Sequence, residues 1–165
     1  MSPKTCTLAV SVVLLSAMSA SAQPTRVKQF DAWGVYSYGS GNARNCYALS
    51  VPVSQLPASV AHGENFFLVA PQAGTSGLMP QAIMGYGIKA DSRITVTIGS
   101  ESFILVPKEN AAWVRDPARE PALVAAMRGG SDMTLKATSA RGTNTTYTFS
   151  LKGVSAALNE VNRCN

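Results

Sequence analysis

The sequence predicts a mainly β protein: an antiparallel β-sandwich or barrel-like domain of about eight short strands with two short helices, one of them C-terminal. Three observations carry that expectation. Short stretches alternate apolar and polar side chains, the period of a half-buried strand. Clusters of Gly, Pro, Asn and Ser recur at intervals of roughly 8–12 residues, as in sandwiches and barrels. Apolar residues take up the helical period in only two places, around Leu123 and after Gly153.

In chain order, Gln23–Gln29 is polar and reads as a loose lead-in. Phe30–Tyr38 reads as the first strand, with Trp33, Val35 and Ser37 on one face and Gly34, Tyr36 and Tyr38 on the other. Gly39-Ser-Gly-Asn42 supplies a turn. Arg44–Val51 returns antiparallel, with Tyr47, Leu49 and Val51 opposite Cys46, Ala48 and Ser50. If the larger set faces the core, Cys46 faces outward and the C-terminal helix lies over the outside of the sheet. Pro52–Gly63 holds Pro52 and Pro57 and reads as an irregular surface loop; it carries His62, the sole histidine. Glu64–Ala70 is apolar enough to be covered on both faces, and Pro71–Pro80 reads as a loop. In Gln81–Lys89 the glycines Gly85 and Gly87 mark a bulge or close backbone packing.

Ile94–Ile98 and Ser102–Pro107 form a hairpin about Gly99–Glu101, and Ala111–Arg115 a short strand or turn around Trp113. Pro121 suits the first helical position and Gly129 the stop of a two-turn helix through Arg128. Its apolar face is Leu123, Val124 and Met127. Asp132–Thr138 and Thr145–Lys152 alternate again. Val154, Ala157, Leu158 and Val161 recur at i, i+3, i+4, i+7, one face of a helix, and Cys164 falls on the same stripe.

The first 22 residues stand apart. Lys4 precedes the apolar run Thr7–Met18, and Ala20-Ser-Ala22 is a small-residue cleavage site. This is the pattern of a Sec-type signal peptide cut after Ala22, leaving a single domain, 23–165. The run is short of the roughly 20 residues that span a bilayer, and no second one follows. The expected location is periplasmic or secreted, with no transmembrane segment in the mature chain. Loss of Lys4 takes the net charge from +5 to +4. The remaining basic residues are scattered, with no phosphate track, so nucleic acid is not an expected partner. Cys46 and Cys164 remain, and in an oxidising compartment two cysteines allow one pairing. A bridge closing so long a loop is worth about 4–5 kcal/mol in chain-entropy terms. Two free thiols are the alternative; a catalytic redox pair would sit close together, as in C-x-x-C.

Few residues invite chemistry. One His, two paired Cys and dispersed carboxylates predict no metal site and no cofactor. His62 reads as a solvated loop residue rather than a general base. Gly74-Thr-Ser-Gly77 is one residue short of a nucleophile elbow. Gly85-Tyr-Gly87 and Gly39-Ser-Gly41 lack the third glycine of a dinucleotide fingerprint. Asp116, Glu120 and Asp132 are the carboxylates that would have to converge for hydrolysis. Each also has a structural reading, at a turn before Pro117, at a helix start and at a strand opening. Arg128 and Arg141 stand at turns beside glycines, where a guanidinium and open backbone N–H groups can hold a carboxylate or phosphate of a partner. Alternatively they pair with Asp116, Glu120 or Asp132 and fix the turns. Trp33, Tyr36, Tyr38 and Trp113 offer either a ligand platform or sheet-face packing.

Longer blocks carry a resemblance. Trp113-Val-Arg-Asp116, Glu120-Pro-Ala-Leu-Val-Ala-Ala-Met-Arg-Gly-Gly-Ser-Asp-Met133, Ser139-Ala-Arg-Gly-Thr143 and Phe149-Ser-Leu-Lys-Gly-Val-Ser-Ala-Ala-Leu158 closely resemble the invasion-associated locus B family of alphaproteobacteria. Phe30-Asp-Ala-Trp-Gly-Val-Tyr36, Cys46-Tyr-Ala-Leu-Ser50 and Met84-Gly-Tyr86 look like its earlier blocks. The resemblance implies an exported envelope or secreted protein, since the founding member is linked to bacterial entry into host red cells. It brings no catalytic residues. Some members carry a further cysteine in a W-x-V-x-C pattern; here Ser37 stands there, leaving the single bridge. The expected function is that of a binding or structural protein without catalytic activity. Its partner would be a protein or surface glycan in the envelope or on a host cell. The alternative is a small periplasmic ligand-binding or hydrolytic domain using the Arg128 and Arg141 turns or an Asp/Glu pair. Intact-mass measurement of protein recovered from the producing cell is expected to place the mature N-terminus at Gln23; a retained leader would refute the export reading.

Overall fold

The computed structural model describes residues 23–39, 41 and 44–164. The expected leader with its cleavage site, and Ser40 and Asn42 of the turn at 39–42, lie outside the described residues. Eleven strands among the described residues form one antiparallel sheet. They are β1 (Thr25–Phe30), β2 (Trp33–Tyr38), β3 (Asn45–Ser50), β4 (Ser54–Leu56), β5 (Phe66–Pro71), β6 (Leu78–Ile83), β7 (Ile94–Ile98), β8 (Glu101–Lys108), β9 (Ala111–Val114), β10 (Asp132–Thr138) and β11 (Asn144–Ser150). The spatial order is β1-β2-β3-β5-β6-β9-β8-β7-β10-β11-β4. Helices α1 (Glu120–Gly129) and α2 (Val154–Cys164) complete the domain. The mainly β, antiparallel class and the two helices are those the sequence implies.

The sheet curls until strands far apart in its order meet. Trp33 Nε1 on β2 donates to the Ser150 carbonyl on β11 at 2.9 Å. Phe67 on β5 meets Phe149 on β11 edge-on, ring centroids 6.0 Å apart. One core results, filled by the inward residues of the alternating strands and by the stripes of both helices. Gly153 turns the chain between β11 and α2 at φ +90°; a Cβ there would collide with the Phe30 carbonyl.

Two strands escape the sequence pattern. Gln23–Gln29 is no loose lead-in: β1 pairs with β2, with a register shift between Arg26 and Lys28. As an edge strand exposed over most of its length it needs no apolar face, so it shows no alternation. Within Pro52–Gly63, the three-residue β4 pairs with β11. The expected Gln81–Lys89 strand instead spans Leu78–Ile83 and stops before Gly85.

The β3 faces are also reversed from expectation. Cys46, Ala48 and Ser50 are buried in the core, while Tyr47 and Leu49 stand half-buried on the outer face. The cause is α2, which packs against β3, β2 and β1. Small residues on that face let the helix approach. The helix does cover the Cys46 face, but that face is the inside. Cys46 and Cys164 are joined there across 118 residues, their Cα atoms 5.9 Å apart, within the span a disulfide bridges.

At the start of α1, Glu120 is 7% exposed, and burial raises its carboxyl above the ordinary range. Its folded value exceeds its unfolded one, so stability is full at low pH and falls as pH rises through the folded value. Glu120→Gln is therefore expected to raise the melting temperature at pH 7 and to leave it unchanged below about pH 4, as calorimetry at the two pH values would show. Replacing Cys46 and Cys164 together by Ala is expected to remove about 4 kcal/mol in urea unfolding; an unchanged midpoint would contradict the role given to the bridge.

Candidate functional site

Three segments converge on a cleft of about 510 Å³: residues 60–62, 85–87 and the turn between β10 and β11. Asn65, 3% exposed, joins the first two. Its Nδ2 donates to Gln55 Oε1 at 3.0 Å and to the His62 and Gly63 carbonyls at 3.1 Å. Its Oδ1 accepts from the Gly85 amide at 3.0 Å. The two backbones approach so closely that a Cβ on Gly85 would lie 2.5 Å from Glu64 N and 2.6 Å from the His62 carbonyl oxygen. Close packing is thus what the glycine at 85 is for.

His62 is not solvated but 9% exposed. Its Nε2 lies 3.0 Å from the Pro57 carbonyl. A carbonyl only accepts, so Nε2 carries the proton and Nδ1 accepts from the Tyr147 hydroxyl at 2.9 Å. Loop position alone hides this role. The available signal is Tyr147 itself, whose place on the core-facing side of β11 leaves a buried hydroxyl in need of a partner. Burial above all, with Tyr86 beside it, pushes the Tyr147 phenol well above its ordinary range, so it stays protonated. The Tyr86 and Thr145 hydroxyls meet at 2.6 Å. Thr145 Oγ1 donates to the Ala137 carbonyl at 3.2 Å, so Tyr86 is the donor to Thr145.

Arg141 is exposed at the rim, on the β10–β11 turn. No Asp or Glu lines the cleft, and the ion pairs found among the described residues, Lys152–Asp31 and Arg163–Glu160, leave Arg141 out. The turn amides are less open than the sequence suggests. Ala140 N donates to the Gly87 carbonyl and Gly142 N to the Ser139 carbonyl, both at 2.8 Å. Thr143 N donates to Ser139 Oγ at 3.1 Å. What the turn presents is the guanidinium.

The other predicted residues lie elsewhere. Arg128 is at the far end of β10, where its Nη1 donates to the Ser155 carbonyl at 3.2 Å and to Asn159 Oδ1 at 3.1 Å, tying α1 to α2. Neither arginine pairs with Asp116, Glu120 or Asp132. Asp116 Oδ1 accepts from Ala118 N at 3.1 Å, capping the turn before α1. Glu120 is buried, and Asp132 shares a shallow cleft with Glu101 rather than with the other two. Trp33 is core. Tyr36 stacks on Tyr47 on the outer face of β2 and β3, centroids 5.8 Å apart, with Tyr38 beside them. Trp113 is half-buried on β9. Among the described residues no group of three His, Cys, Asp or Glu is placed to hold a metal.

Comparison with known proteins adds identity. No curated protein matches the sequence. The crystal structure of invasion associated protein B from Bartonella henselae is similar in fold, with a TM-score of 0.58 and 17% identity over 81% of this chain and 94% of that one. The family profile described as "Invasion associated locus B (IalB) protein" matches residues 33–162. That span takes in the domain from β2 to the last turn of α2, and the chain therefore belongs to the invasion associated locus B family.

Proposed function

We propose that this protein is an exported, non-catalytic binding protein of the bacterial envelope or its surroundings, which holds its partner at the cleft beneath Arg141. The observation that carries this reading is the distribution of ionisable groups there. His62, the residue best suited to move a proton near neutral pH, has both ring nitrogens engaged. Arg141 is a cation at the rim with no acid beside it. A site with an unmatched charge and no free base is equipped to hold an anionic group rather than to transform it.

Export is supported by the leader pattern and by a bridge that suits an oxidising compartment. No helix among the described residues is long and apolar enough to cross a membrane. Family membership adds the reading of contact with a host or envelope surface. The hydrolytic alternative finds no carboxylate in the cleft and none of its three acids brought together there.

The mature protein immobilised on resin is expected to retain a small set of components from periplasmic extract or host-cell membranes, identified by mass spectrometry against blank resin. Recovery of nothing above the blank would overturn the binding reading.

A further inference from the structure

Resting on the binding reading above, we infer that the cleft takes the carboxylate of an acidic sugar, a uronic acid carried by a surface glycan. Charge sets the first constraint. One guanidinium with no acid in the lining matches a single negative charge, as on a carboxylate, and undercompensates a phosphate dianion. The planar guanidinium also fits a carboxylate through two parallel hydrogen bonds.

The lining sets the second constraint. Beside Arg141 stand the hydroxyl residues Ser139 and Thr143 and the phenol of Tyr86. The Tyr86 proton is committed to Thr145, so its oxygen keeps lone pairs to accept from a ligand hydroxyl. Val60 and Ala61 on the loop and Ala140 on the turn add apolar surface to the same cleft, against which the C–H face of a sugar ring can pack. Gly85 and Gly87 are exposed and bring bare backbone to its edge. A mixture of one charge, several hydroxyls and a modest apolar wall suits a polyhydroxylated monoacid better than a purely apolar ligand. The volume, about 510 Å³, lies in the range that encloses a small ligand.

The third constraint is rigidity. The His62 and Asn65 hydrogen bonds hold one wall, and the Ala140–Gly87 and Gly142–Ser139 bonds hold the other. A wall already ordered loses little entropy on binding, which lets a small sugar bind at all.

The test is an amide NMR titration of the mature protein with sodium glucuronate, glucose and inorganic phosphate, repeated on Arg141→Gln. Glucuronate is expected to move the amides of Gly85, Gly87, Arg141 and Gly142, with glucose roughly tenfold weaker, the size of one charge-assisted hydrogen bond. In Arg141→Gln, glucuronate should fall to the level of glucose while the melting temperature is unchanged, because Arg141 is exposed. Glucose equal to glucuronate, phosphate as tight as glucuronate, or shifts confined to another face would each overturn the assignment. If glucuronate fails but the resin captures a partner with the unaltered protein and loses it with Arg141→Gln, the acidic-sugar assignment falls and the binding reading stands. If glucuronate binds as expected while the resin captures nothing, the cleft is a sugar site and the wider surface role falls.

Discussion

The fold depends on the seam between α2 and the inner face of β1, β2 and β3. Val154, Ala157, Leu158 and Val161 are buried there, over Cys46, Ala48 and Ser50. Each fully buried large aliphatic side chain contributes about 1.5–3 kcal/mol. The Cys46–Cys164 bond fixes the helix end to β3, and the Trp33 indole hydrogen bond to Ser150 ties the same region to β11. A twisted sheet of this many strands tends to curl. Here a helix on its concave side, bonded covalently to one strand and following directly from another, holds the curl closed.

The curl has a consequence for the cleft. The far ladder β10–β11 comes to lie beside the 57–65 loop, close enough for His62 to reach Tyr147 and for Tyr86 to reach Thr145. These buried polar contacts add little net stability each, but leaving any one partner unmatched costs about 1–3 kcal/mol. They therefore specify one arrangement of the loop. Arg128, by contrast, is spent on holding the two helices together.

What could be read from the sequence followed from local period. The hairpin Ile94–Ile98 with Glu101–Lys108 and the ladder Asp132–Thr138 with Asn144–Ser150 show clean alternation, because one face of each packs on the core. The α2 stripe was legible to the residue. The failures have equally physical causes. β1 is polar because it is an exposed edge, and β4 is too short to show a period. Cys46 and Ala48 face inward because a helix must approach them, and size alone pointed the other way. At the site, Arg141 was visible through its glycine turn. The role of His62 was not, since its partner lies 85 residues away and is reached through the pairing of the short β4 with β11, which no local period announces.

The linkage between an early strand and the final turn of the chain also governs when this molecule can become itself. The staple cannot close until Cys164 has been delivered, and the indole of Trp33 must wait for Ser150, 117 residues later. A chain made from its N-terminus thus lacks its closing pieces until nearly all of it has been synthesised, and the fold locks only once the tail is present.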